Sequence, residues 1–340
     1  MSSSTNKPSA PKNYFFDESF FQEALNQQHL VDKTVSFTTY EDAYIIPSQL
    51  TPNGVCGGIA TKEQHFIATT ALHTSLWGKD GEFVEFGTYE PKKKEEKVIF
   101  LGVFYDVWGH LLTDCLSRLW FLRTDTFRNQ YSDYTLVYVS AWGNKNFKIH
   151  PNYSELLQLL GIDSSQFKMT TDLTQYQEVV VPDQSFFTID GTTRFYTKEY
   201  KQMIDVLRER GSQLPDKYHY DKIYLSYTHK FLGRSRSFGE KSLERYFTSK
   251  GYIIVHPEDF SFIEQLGIYS HCSMFASTIG SCSHNIVFLP DNAEVILIPR
   301  AYYLTGYQVA LNELTKAPVH YIDSSLSIAT NAESPWAGPW

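Results

Sequence analysis

Residues 251–298 read GYIIVHPEDF SFIEQLGIYS HCSMFASTIG SCSHNIVFLP DNAEVILI, and two patterns alternate along them. Short apolar runs at 252–256, 273–277 and 294–298 have the length and composition of buried strands. The segments between these runs have helical periodicity, and the longer of them lies at 261–270. Because strands that alternate with helices pair in parallel, this stretch predicts a doubly wound α/β domain.

The same alternation continues toward the N-terminus. Strand patterns occur at 98–103, 135–139, 178–182 and 222–226, and helical periodicity occurs at 108–123, 153–160, 197–210, 240–250 and 283–288. Gly211 is typical of a helix stop. A chain of 340 residues has room for two domains. We therefore expect an α/β protein with two Rossmann-like domains that face each other across a cleft, with the hinge at 192–197.

Residues before 98 have a different character. Short β-like pieces occur at 34–39, 43–46, 65–71 and 83–86, and Gly54, Gly57 and Gly58 predict turns between them. The charged run at 91–97 predicts a solvated loop. The polar residues 1–13 lack the apolar segment of a signal peptide and predict a disordered arm.

Composition narrows the functional classes. A net charge of −8 argues against nucleic acid as the main partner, because binding phosphates needs a basic surface. An aromatic fraction of 16% argues against global disorder and leaves open a sugar-stacking surface or a homo-oligomer contact. No apolar run is long enough to span a bilayer, and the spacing of the four cysteines predicts neither disulfides nor zinc. We expect a cytoplasmic protein, either free or peripherally associated with the inner face of the membrane.

The first candidate site lies at the start of the helix predicted at 108–123. His110, Asp114 and Arg118 follow one another at i, i+4 spacing and would share one stripe of that helix. A helix that follows a strand starts at the carboxyl edge of the sheet, where α/β proteins bind ligands. Helix capping with an ion pair between Asp114 and Arg118 explains the same spacing without a ligand.

The second candidate is a basic loop that follows the strand at 222–226. Lys230, Arg234 and Arg236 stand out in an acidic chain, and guanidinium groups bind phosphate oxygens in pairs. An ordinary solvated loop is the alternative. If the loop binds a ligand, a diphosphate is the expected class.

The third candidate is the small-residue turn at 277–285, between a strand and a helix. Its amides would face an anion at the helix N-terminus, or Ser283 would simply cap that helix. Glu264 begins the preceding helix and would support its N-terminus. No Asp-x-Asp triplet occurs, which weakens any mechanism that needs a carboxylate-bound metal.

These three segments, in this order, resemble glycosyltransferase family 61. The first matches the family in Trp108-Gly109-His110, Asp114, Arg118 and Trp120, with Val107 in place of Asn. The second retains Arg234, Arg236 and Glu240, and Tyr227 replaces an Arg. The third retains the small residues around Gly280 but has Ile279 where the family has His. The resemblance covers residues 98–323.

The resemblance implies a GT-B architecture, in which domain 14–191 binds the acceptor and domain 192–340 binds a nucleotide sugar. The C-terminal segment would pack back on the first domain. It also implies inverting transfer to a glycan or lipid-linked glycan without a metal or other cofactor, in the synthesis of a microbial surface polysaccharide such as a capsule, or of a glycoprotein glycan.

The resemblance also implies roles for individual residues. Asp114 is the preferred base, with His110 positioning it or replacing it, and Arg118 is an orienting partner of Asp114. The donor would contact the following residues: Lys230, Arg234, Arg236, Glu264, Gly280, Ser281, Cys282, Ser283, His284 and Asn285.

Two alternatives stay open. The departures at Val107, Tyr227 and Ile279 suit a catalytically silent relative that binds glycans or scaffolds a synthesis complex. A GT-B-type enzyme that transfers a non-sugar activated group is the other alternative.

Overall fold

The computed structural model describes residues 26–51, 54–71, 90–189, 193–226, 228, 239–299 and 304–322. These residues form two compact units. The first unit comprises Val31–Met203, and the second comprises the described residues from Ile204 onward together with those up to Leu30. The division therefore falls inside a helix, twelve residues after the predicted border at 191/192. Within the described ranges, no helix combines the length and hydrophobicity that crossing a bilayer requires.

The first unit contains a mixed seven-stranded sheet and a small hairpin. Its strands are β1 Phe37–Glu41, β2 Tyr44–Thr51, β3 Gly54–Ala60, β4 Lys92–Phe104, β5 Thr135–Ser140, β6 Phe167–Met169 and β7 Thr174–Pro182, and the hairpin is β8 Phe186–Thr188 with β9 Arg194–Tyr196. The strand order is β3-β2-β7-β4-β5-β6, and β1 also pairs with β7. Strands β7, β4 and β5 run in parallel, as predicted, and β6, which was not predicted, pairs in parallel with β5. Strands β1 and β2 add to β7 in antiparallel fashion.

The helices of the first unit are short. They are α1 Trp108–Leu112, α2 Asp125–Gln130 and α3 Pro151–Leu159, with a 3₁₀ segment at Leu119–Arg123. The prediction of one continuous helix at 108–123 is wrong. Groups that are distant in the sequence donate hydrogen bonds to backbone carbonyls that such a helix would use internally. The Tyr200 hydroxyl donates to the Leu112 carbonyl at 2.8 Å, and the Ser185 amide and hydroxyl both donate to the Ser117 carbonyl.

Three further predictions for the first unit are wrong. The charged run is not a loop: from Lys92 onward it forms the beginning of β4, and the Lys94 ammonium lies 5.6 Å from the centroid of the Tyr176 ring. The segment at 65–71 contains a 3₁₀ turn, Ala68–Thr70, and not a strand. Gly57 and Gly58 lie within β3. A Cβ atom at Gly58 would lie 2.8 Å from the Thr70 carbonyl oxygen, so close backbone approach explains that glycine. The piece at 83–86 lies outside the described residues.

The second unit has a five-stranded, fully parallel sheet. Its strands are β10 Lys222–Leu225, β11 Ile253–Val255, β12 Met274–Thr278, β13 Glu294–Ile298 and β14 Val319–Tyr321, in the order β11-β10-β12-β13-β14. The helices are α4 Lys198–Ser212, α5 Glu240–Ser249, α6 Phe262–His271 and α7 Gly306–Leu314. The sheet confirms the predicted parallel α/β unit. Helix α7 and strand β14 were not predicted from the sequence.

Strand order identifies the topological switch point of this sheet. The chain moves outward from β10 in one direction to β11 and in the other to β12, so the order reverses between β10 and β12. Parallel α/β sheets bind ligands at the carboxyl ends of the strands that flank such a reversal. In this unit those ends are Leu225 and Thr278, from which the second and third candidate segments start.

Candidate active site

The first candidate segment leaves the carboxyl end of β4, next to β7. Helix α1 begins at Trp108, four residues after the end of β4 at Phe104. Val107 is the N-cap residue and makes no side-chain capping hydrogen bond. The asparagine that the family has at this position belongs to the residue types that cap helices well. The substitution therefore removes a capping side chain but leaves the helix start in place.

His110 and Asp114 form a close pair at this edge of the sheet. His110 Nδ1 lies 2.6 Å from Asp114 Oδ2, and the two side chains are 22% and 18% exposed. The His110 ring also stacks on the buried Tyr105 ring, with centroids 4.6 Å apart. The carboxylate and the aromatic ring together fix the imidazole plane, as a base that must accept a proton from a defined direction requires.

Arg118 forms hydrogen bonds with backbone carbonyls of the same unit. Its guanidinium donates to the Pro182 carbonyl at the end of β7 and to the Thr69 carbonyl, at 2.8 Å in the second case. Burial lowers the pKa of Arg118 to about 10, and the nearby Asp183 carboxylate opposes that shift. Among the described residues Arg118 forms no ion pair with Asp114, because the break after Leu112 turns its side chain toward β7 and away from the predicted helical stripe.

Cys115 lies beside the pair but is not chemically available. Its side chain is fully buried, and burial raises the pKa of the thiol. Cys115 therefore acts as a small buried apolar residue, since a neutral thiol is neither a nucleophile nor a metal ligand.

The second candidate segment begins at the switch point of the parallel sheet. Glu244 on α5 accepts hydrogen bonds from Ser226 Oγ at 2.7 Å and from Thr228 Oγ1 at 2.8 Å, so one carboxylate oxygen holds the first residues after β10. Lys230, Arg234 and Arg236 lie outside the described residues, and their roles stay predictions.

The third candidate segment follows β12. Gly280 and Ser281 are partly exposed, whereas the next four residues are buried: Cys282, Ser283, His284 and Asn285. Ser283 is not the N-cap, because its hydroxyl bonds back to Gly280 and leaves Cys282 as the cap of a 3₁₀ segment, Ser283–Phe288. Gly280 and Ser281 are therefore the residues of this loop that are accessible for direct contact with the predicted nucleotide-sugar donor.

Glu264 stabilises the N-terminus of α6. It forms a capping box with Ser261, as the capping interpretation predicted, and its other carboxylate oxygen accepts from Lys217 Nζ at 2.8 Å and Tyr218 OH at 2.6 Å. The Lys217 ammonium, with these further donors, lowers the pKa of Glu264 to about 2. A donor-binding role for Glu264 stays a prediction.

The sequence was also compared with known proteins. Residues 108–296 match the family Glycosyltransferase 61. The chain belongs to glycosyltransferase family 61. A comparison with curated proteins finds no match.

Family 61 membership makes the chain a glycosyltransferase, which has a sugar donor and an acceptor as substrates. The matched region begins at Trp108, includes His110 and Asp114, and ends within β13. It therefore contains all three candidate segments, and α7 and β14 follow it.

Several side chains that support these three segments have no signal in the sequence. Tyr105, Tyr200 and Gln308 lie 5, 88 and 25 positions from the groups that they contact, and no local pattern points to such partners. Among the described residues, no group of three His, Cys, Asp or Glu side chains is arranged to hold a metal ion.

Proposed function

We propose that this family 61 enzyme is an inverting glycosyltransferase that moves a sugar from a nucleotide-activated donor to a hydroxyl group of a glycan or lipid-linked glycan. We further propose that it needs no metal and acts in surface-polysaccharide or glycoconjugate synthesis at the inner face of the membrane. The hydrogen-bonded pair of His110 and Asp114 at the carboxyl edge of the first sheet carries the proposal, because inversion needs one well-placed base.

In the proposed reaction the acceptor oxygen attacks the anomeric carbon as the bond from that carbon to the nucleotide diphosphate breaks. His110 takes the hydroxyl proton, and Asp114 holds the imidazole through Nδ1 and stabilises the imidazolium that forms. This pairing supports His110 as the base, whereas the sequence favoured Asp114. Lys230, Arg234, Arg236 and the Gly280 backbone would stabilise the leaving diphosphate.

Chemical rescue tests the identity of the base. We expect His110→Ala to lose at least a hundredfold in transfer rate and to recover part of that loss when imidazole is added. Asp114→Ala should lose rate without rescue by formate. His65→Ala removes an exposed histidine of the same unit and should keep its activity. Rescue of Asp114→Ala by formate, with no imidazole rescue of His110→Ala, would instead identify Asp114 as the base.

A thermal-shift screen against UDP-, GDP-, CMP- and dTDP-linked sugars identifies the donor class, because a ligand that binds only the folded state raises the unfolding temperature. The buried Ile279 at the family histidine position favours the second candidate function, a silent glycan-binding relative. Such a relative would bind glycans without hydrolysing or transferring any of these donors, so an activity assay distinguishes the two candidates.

A further inference from the structure

A chain of buried polar side chains runs from the loop after β12 into α7 and β14. Ser283 Oγ lies 2.5 Å from Gln308 Oε1, Gln308 Nε2 lies 2.9 Å from Asn312 Oδ1, and Asn312 Nδ2 bonds the Tyr321 hydroxyl. Ser283 and Gln308 are fully buried, and Asn312 and Tyr321 are nearly so. Because water is excluded, each of these groups depends on its neighbour for hydrogen bonding.

This series of hydrogen-bonded side chains sets the orientation of the Gln308 amide. Its NH₂ group donates to Asn312, so its oxygen faces Ser283. Ser283 has one hydroxyl hydrogen and two acceptors within reach, the Gln308 oxygen at 2.5 Å and the Gly280 carbonyl at 2.8 Å. When the Ser283 hydroxyl donates its hydrogen bond to Gln308, a Ser283 lone pair still accepts from the Gly280 amide, which lies 3.0 Å away.

This arrangement holds the loop after β12 at Gly280, the first residue of that loop that is partly exposed. Gly280 lies two residues after the end of β12, at the switch point where the proposed donor would bind. Its amide is held by Ser283, and Ser283 is in turn held by Gln308. Gln308 lies beyond the matched family region, which ends at residue 296.

We infer that Gln308 is a positioning residue, which acts through Ser283 to hold the Gly280–Ser281 backbone in the conformation that binds the diphosphate of the nucleotide donor. This inference rests on the proposed function. Gln308 itself touches no substrate. Its loss weakens donor binding because the loop must then be ordered on binding.

Calorimetric titrations with UDP, GDP, dTDP and CMP test the inference in the full chain. The variants are Gln308→Met, Ser283→Ala and the double variant. Gln265→Met is the matched control, since the Gln265 amide is also buried in this unit but donates to the Pro257 and Phe260 carbonyls of a different loop. Unfolding temperatures of all four variants separate lost stability from lost affinity.

For the nucleotide that the unmodified chain binds best, we expect Gln308→Met and Ser283→Ala each to weaken binding about five- to tenfold. The double variant should bind no more weakly than Ser283→Ala, because Gln308 acts through that hydroxyl. Gln265→Met should bind within twofold of the unmodified chain.

Three results would overturn the inference while leaving the proposed function intact. They are unchanged binding by Gln308→Met, full additivity in the double variant, or unchanged binding by Ser283→Ala, which decides the matter even if Gln308→Met fails to fold. Failure of the unmodified chain to bind any of the four nucleotides would contradict the proposed donor class itself and the inference with it.

Discussion

Burial separates two kinds of polar residue in the first unit. Arg118 is 3% exposed and donates hydrogen bonds to two backbone carbonyls, so it holds the chain near the end of β7. His110 and Asp114 are each about one-fifth exposed, as the proposed proton transfer from a substrate hydroxyl needs. Although all three residues belong to one sequence motif, only the pair has the exposure that proton transfer to a substrate requires.

Glu264 gives a prediction at the same scale. Its pKa falls from an ordinary value of 4.5 to about 2 on folding, so its carboxylate stabilises the folded state above pH 4.5 and loses that effect as the pH falls toward 2. We expect Glu264→Gln to unfold at a lower temperature than the unmodified chain at pH 7. The gap should narrow steadily below pH 4.5 in calorimetric scans.

The control for this prediction is Glu209→Gln, at an exposed glutamate of α4 in the same unit. It should show no such pH-dependent gap. A gap for Glu264→Gln that stays constant between pH 7 and pH 3 would mean that the Lys217 and Ser261 contacts do not depend on the charge of Glu264.

At the scale of elements, helix packing explains one glycine that looked like a helix stop. Helix α4 continues through Gly211 to Ser212. A Cβ atom at Gly211 would lie 2.3 Å from Ser270 Oγ and 2.9 Å from Leu266 Cγ on α6. Gly211 is therefore a contact point between two helices, and its lack of a side chain allows them to approach closely.

A pair of alanine substitutions tests this packing. Gly211→Ala should destabilise the chain by about 1–3 kcal/mol, because overpacking outweighs the better helix propensity of alanine. Gly267→Ala is the matched control within α6, where the nearest atom would be the Pro215 carbonyl oxygen at 3.6 Å. It should be neutral or stabilising by up to about 1 kcal/mol. Urea unfolding measures both, and equal effects would contradict the packing argument.

At the scale of the whole molecule, the chain passes between its two units twice. The His29 and Leu30 amides both donate to the Glu313 carboxylate on α7, in the second unit, at 2.6 and 3.2 Å. The next amide, of Val31, donates to the Tyr196 carbonyl in the first unit. The chain then returns to the second unit within α4. Residues 26–30 thus contribute to the second unit, although they precede the first.

Amide hydrogen exchange tests the anchoring by Glu313. We expect Glu313→Leu to speed exchange at His29 and Leu30 at least tenfold, because both amides lose their acceptor. Val31 is the internal control and should keep its protection. Glu313→Gln retains one acceptor oxygen and should have an intermediate effect. Unchanged exchange at His29 and Leu30 would show that groups other than Glu313 order this segment.

Local pattern predicted the second sheet well because each of its strands is a short apolar run bounded by turn residues. Four of its five strands were predicted within two residues of their observed ends, and β14 was missed. The first unit was predicted less well. Its helix at 108–123 has good apolar periodicity, but partners up to 88 positions away take the carbonyl groups that would have continued it.

The sequence by itself determined the parallel α/β character of the second unit and the family to which the chain belongs, since both depend on residue types at short spacing. The tertiary structure alone decided that His110 and Asp114 pair while Arg118 turns to β7, that Lys217 and Tyr218 donate to Glu264, and that Gln308 supports the loop at Gly280. Apart from the His110–Asp114 pair, these contacts join residues that are distant in the sequence, and only packing determines which of these polar groups meet.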